Sequence, residues 1–155
     1  MDIHHSEWEK EKKNLVMQRD RLWMQFTTAF QWLELFEDGT NIIPYFKEQN
    51  SQKIAIYGAA ELGRMLLKEL EKDSSMSVLY FIDKSADKKR EKWGKPVYLP
   101  SEFKELPEVD IVVVTAVSFF EAINKDLIHI RPEIPIVSLN AIVETRRDEV
   151  WYEKQ

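Results

Sequence analysis

The residues best suited to chemistry lie in one short stretch, Gly58-Ala59-Ala60-Glu61-Leu62-Gly63, between the apolar run KIAIY and the helix-forming run RMLLKELEK. A strand, a glycine-bounded turn and a helix in that order make a phosphate cradle. The first glycine permits the tight turn, and the last lets helix and strand pack closely. The free N–H groups and positive dipole end of the helix face an anion. The middle place, where a pyrophosphate would approach the backbone, holds Ala60 with one methyl too many. Glu61 stands in the first helical turn, where its carboxylate either repels a pyrophosphate or swings outward. Asp83 closes the second apolar run, VLYFI, twenty residues past Gly63. That is the distance at which an acid accepts hydrogen bonds from a ribose diol; the alternative is that Asp83 only opens a turn. Lys84 begins a basic stretch with Lys88, Lys89, Arg90, Lys92 and Lys95. It is placed to meet a 2′-phosphate or a nucleotide-sugar diphosphate, or else it is a solvated loop. Thr115 and Ala116 end the run IVVVT and its neighbour, where the crevice of an open α/β sheet forms. Ser118 is placed either to donate there or to cap the next helix.

Composition removes other chemistries. There is no cysteine, so disulfides, thiol catalysis and cysteine-ligated metals are excluded. The three histidines, His4, His5 and His129, are too scattered for a metal site. A net charge of -5 argues against electrostatic capture of nucleic acid or anionic membrane. No tyrosine has a lysine four residues on, so the Tyr-x-x-x-Lys pair of short-chain dehydrogenases is missing, and no P-loop or Gly-x-Ser-x-Gly elbow is present. The opening residues carry acids and no apolar core, unlike a signal peptide. No apolar run approaches the roughly 20 residues of a membrane span. The expected compartment is the cytoplasm. No reaction is named by these residues, and the chain is expected not to be an enzyme on its own.

The elements that must position these residues follow from periodicity. Residues 6–37 contain neither Gly nor Pro. Leu15, Leu22, Phe26, Ala29, Leu33 and Phe36 recur on alternating three- and four-residue steps, the period of one helical face, with Arg19 on the same seam. Trp23 and Phe30 widen the stripe. So much aromatic surface must pack on its own domain, on a partner, or both. A homodimer or a docking role for this helix is therefore expected. Gly39 suits a helix end, and residues 41–49 a short second helix. From residue 53, strands and helices alternate: strands are expected at 53–57, 78–82, 96–99, 111–115 and 134–138, and helices at 64–72 and 119–128. Residues 84–95 read as a loop. Right-handed crossovers then give an open parallel five-stranded sheet in the order 3-2-1-4-5. The expected division is a helical extension over 1–50, a nucleotide-binding-type domain over 51–143, and a charged tail over 144–155.

The runs IAIYGAAELGRMLLKEL, VLYFIDKS, KPVYLPSEFKELPEVDIVVVTA and PIVSLNAIV, across residues 53–143, resemble a family of bacterial Rossmann-like NAD(P)/CoA-binding-type domains. Members accompany glycosyltransferases, sugar acyltransferases and surface-polysaccharide proteins, and show a glycine where this chain has Ala60. The resemblance implies a nucleotide-type ligand, NAD(P) or a nucleotide sugar. The leading reading is a non-catalytic binding module accessory to sugar-transfer enzymes: residues 58–63 hold phosphate, Asp83 with Lys84 the ribose end, and Thr115-Ala116 the far wall. Two rivals stand beside it. One is an interaction module with a vestigial site, the other a sugar-nucleotide-modifying enzyme completed by a partner chain.

Overall fold

The computed structural model describes residues 3–155. Six strands form one sheet: β1 (Lys53–Tyr57), β2 (Ser77–Ile82), β3 (Glu91–Lys92), β4 (Lys95–Tyr98), β5 (Ile111–Val114) and β6 (Ile136–Ser138). Their order is β3-β4-β2-β1-β5-β6. The expected count of five and the order 3-2-1-4-5 are thus corrected by an added edge strand. β3 pairs antiparallel with β4, while β4-β2, β2-β1, β1-β5 and β5-β6 are all parallel. The extra strand lies inside the expected loop 84–95. Its turn, Trp93-Gly94, has positive φ at both residues, 50° and 77°. That is the two-residue left-handed turn whose twist matches a hairpin.

Five helices flank the sheet: α1 (Ile3–Glu37), α2 (Ile43–Glu48), α3 (Glu61–Leu70), α4 (Phe120–Ile128) and α5 (Leu139–Glu153). The central strands are buried on both faces, as parallel strands covered by helices require. Alternation within β1 divides them between two cores. Ile54 and Ile56 join Trp32, Leu35, Phe46, Leu66 and Ile142 beneath α1, α2, α3 and α5. Ala55 and Tyr57 join Phe103, Ile123 and Leu127 beneath α4. The first core runs across residue 50, taking in the C-terminal third of α1.

Two expectations change here. Residues 144–153, read from the sequence as part of a charged tail, form the body of α5. Buried Arg146 anchors it, with Nε donating to the Asn41 carbonyl (2.9 Å) and Nη2 to Thr40 Oγ1 (2.9 Å). The stripe on α1 is helical, yet it is not the face that packs. Thr28, Trp32 and Leu35 are buried, while Leu15, Leu22, Phe26 and Leu33 are 52–63% exposed. Trp32 is fixed from below, its indole N–H donating to Glu69 Oε2 at 2.6 Å while the Ile42 N–H donates to Oε1 at 3.2 Å. No described helix is long and apolar enough to cross a membrane.

Candidate functional site

The turn after β1 is built by main-chain contact. Gly58 has φ +113° and donates its N–H to the Ile82 carbonyl at 2.8 Å. A Cβ on Gly58 would strike Thr115 Oγ1, and one on Gly63 would strike the Gly58 carbonyl oxygen. Both glycines therefore serve the convergence of β1, β5 and α3. Thr115 is buried behind the turn, its hydroxyl 3.1 Å from the Tyr57 carbonyl and 3.0 Å from that of Gly58. Its single proton is held by the main chain rather than offered to a ligand. Ala60 precedes α3 in extended conformation, and Leu62 packs into the first core. Glu61 swings outward, its side chain 88% exposed and 3.9 Å from Arg64.

Asp83 ties the ends of β1 and β2 together. Its Oδ2 accepts the Ala59 N–H at 2.7 Å and its Oδ1 the Ser85 N–H at 2.8 Å. Burial pushes this carboxyl up, but the two N–H donors and the nearby Lys92 ammonium outweigh burial and hold it below the usual carboxylate range. Asp83 is thus ionised at neutral pH and keeps spare lone pairs. The turn reading and the ligand reading of Asp83 are compatible in geometry. From the hairpin, Lys92 Nζ donates to the Ala59 carbonyl at 2.7 Å. Of the basic stretch, Lys92 is held at the turn and Arg90 is paired with Glu102 at 2.6 Å, while Lys88 and Lys89 are solvated.

A crevice of about 280 Å³ opens beyond β1, β2 and β5, lined by Gly58, Asp83, Lys84 and Ala116 among the candidates read from sequence. The structure adds Tyr57, Phe119, Ala122, Ile123 and Asp126. Tyr57 was legible only as the second-face residue of KIAIY. Asp126 and Phe119 carry no local signal, since it is the placement of α4 along the crevice, from Phe119 before its first turn to Asp126 in its last, that brings them there. Ser118 does not cap that helix: a 3-10 turn over Val117–Phe119 precedes it, and the buried Ser118 Oγ has no hydrogen-bond partner. Burial, then Asp83 and Asp126, push the Tyr57 hydroxyl up, so it stays protonated at neutral pH. The crevice therefore offers two carboxylate acceptors, a phenol, one ammonium and the half-exposed Phe119 ring. That set suits a hydroxyl-rich molecule with a flat ring. Among the described residues, no group of three or more His, Asp or Glu stands together as a metal site.

The family model described as C2185-like, N-terminal, matches residues 50–137. The chain belongs to the C2185-like N-terminal family. The matched span holds β1 to β5, the glycine turn, Asp83 and the whole crevice lining, and leaves α1 and α2 outside. The match covers most of the span, residues 53–143, over which the sequence resembles a Rossmann-like domain, and it does not extend to an association with glycosyltransferases. Among solved structures, the UDP-D-quinovosamine 4-dehydrogenase of Vibrio fischeri is similar at 21% identity and a TM-score of 0.48, over 57% of this chain and 77% of that one. A search of the curated proteins gave no match.

Proposed function

We propose that the crevice holds the ribose end of a nucleotide, NAD(P) or a nucleotide sugar, and that the chain binds this ligand without transforming it. The observation that carries the reading is Asp83. An ionised carboxylate clasps the glycine turn with one oxygen, clasps the following loop with the other, and still lines the crevice. Ribose hydroxyls need such an acceptor, and the Phe119 ring gives a base or sugar face somewhere to stack. Binding without catalysis rests on the sequence, which carries no Tyr-x-x-x-Lys pair and no Gly-x-Ser-x-Gly elbow. A role beside sugar-transfer enzymes is supported by the sequence resemblance; a nucleotide sugar would then bind more tightly than NAD.

The test is calorimetric titration of the full chain with NAD, NADP and UDP-glucose, paired with thermal unfolding. A ligand at a hundredfold its Kd should add about 2.7 kcal/mol of stability. Phe119→Ala should weaken binding by about tenfold or more, the usual effect of losing a stacking ring. Glu61→Gln should leave affinity unchanged, because its side chain faces away. No heat with any of the three, or full affinity in Phe119→Ala, would overturn the reading.

A further inference from the structure

The exposed stripe of α1 is a repeat with a definite period. Leu15, Leu22, Ala29 and Phe36 recur every seven residues, and Arg19, Phe26 and Leu33 recur every seven between them. A sustained seven-residue repeat advances 3.5 residues per turn, which keeps one seam facing a partner helix that winds around it. The face toward the body is a different one, carrying Thr28, Trp32 and Leu35. α1 therefore has two working faces, and the domain uses one. On the free face Leu15, Leu22, Phe26 and Leu33 are 52–63% exposed, with Trp23 at 67% and Phe30 at 51% beside them. At roughly 150–250 Å² for each aromatic side chain, the stripe leaves on the order of 800 Å² of mostly apolar surface. That is about what one partner contributes to a stable interface.

We propose that the occupant of this face is a second copy of the chain, with the two α1 helices antiparallel. The seam itself argues for the orientation. A parallel pair would set Arg19 against Arg19 in the apolar layer and burden the dimer with two like charges. In an antiparallel pair centred beside Trp23, each layer becomes complementary in size. Arg19 then faces the small Ala29 of the second copy, Leu15 faces its Leu33, and Leu22 faces its Phe26. The guanidinium has room to reach past Ala29 toward solvent, as long cationic side chains do, and the helix dipoles oppose.

The chain has no cysteine, so an introduced thiol is unique. Light scattering at micromolar concentration should give twice the chain mass, and a single-chain mass overturns the proposal. Phe26→Glu with Leu33→Glu should return the chain to a monomer. Its thermal midpoint, extrapolated to low concentration, should match that of the unaltered chain, because neither side chain touches a core. A dimer that survives both substitutions overturns the proposal. For orientation, Leu15→Cys combined with Leu33→Cys should cross-link copies on mild oxidation, and Leu15→Cys alone should not. Efficient cross-linking by Leu15→Cys alone marks a parallel pair and overturns the proposal.

Discussion

Replacing Asp83 by asparagine removes a charge and almost no volume, so the response isolates the two main-chain clasps. Asp83 accepts from Ala59 at 2.7 Å and from Ser85 at 2.8 Å, one bond to each oxygen. An amide has one acceptor oxygen. Whichever way the new side chain turns, its NH₂ faces an N–H that needed an oxygen. A hydrogen bond to a charged group contributes about 1.5–3 kcal/mol, and the donor left facing another donor adds its own desolvation cost. The expected loss is therefore about 2–4 kcal/mol. In a domain of this size that lowers the thermal midpoint by roughly 5–12 °C. The pH dependence gives the sharper reading. The folded-state carboxyl lies below the ordinary carboxylate value, so its contribution is present above that value and lost as pH falls through the folded pKa. Calorimetric scans at neutral pH and at stepwise lower pH should show the gap between parent and Asp83→Asn closing in acid. A gap that stays constant, or an Asp83→Asn variant as stable as the parent at neutral pH, would refute the account of Asp83 as an ionised clasp.

Glu69 should titrate with the opposite sign. Burial chiefly holds its carboxyl above the usual range, against the lowering by the Ile42 and Trp32 donors, so its contribution is present below the ordinary value and lost as pH rises through the folded pKa. The stability gap between parent and Glu69→Gln, followed by chemical denaturation, should therefore narrow as pH rises. Trp32→Phe, which deletes the 2.6 Å bond to Glu69, should cost about 1.5–3 kcal/mol in the same assay. Gly63→Ala drives a methyl into the Gly58 carbonyl and should cost about 1–3 kcal/mol. Gly94→Ala, with open space around it, should cost only the left-handed backbone penalty of about 1–2 kcal/mol.

The strands were legible where burial writes itself into the sequence. KIAIY and IVVVT are apolar because both faces are covered, and the two glycines announced a turn that nothing larger can make. β3 was hidden because Glu91 and Lys92 have no apolar alternation; its strand is imposed by the Trp93-Gly94 turn and by pairing with β4. α5 was hidden for a related reason. Its residues 144–153 are mostly charged, and they are held by the buried Arg146 guanidinium reaching the turn after α1, by Val150 packing on the first core and by Arg147 paired with Glu34. Periodicity identified α1 as a helix with an apolar seam but not which side meets the body. Thr28 and Trp32 are polar or mixed, and they are buried through a contact with Asn140 and a bond to Glu69. In the site, Gly58, Asp83 and Lys84 followed from spacing. Phe119 and Asp126 did not, because a crossover, not a local pattern, carries α4 to the crevice.

The Arg146 bonds also set an order of events during synthesis. Its partners Thr40 and Asn41 lie more than a hundred residues earlier in the chain. They leave the ribosome long before Arg146 does. Until then the packing face of α1 has the cover of α2, α3 and the growing sheet but not that of α5. Contacts this far apart in sequence close last and slowly. The nascent chain therefore passes through an interval in which the packing face of its most aromatic helix is incompletely covered. That interval should be the main occasion for aggregation or chaperone capture. For that face it ends when α5 emerges and Arg146 reaches Asn41.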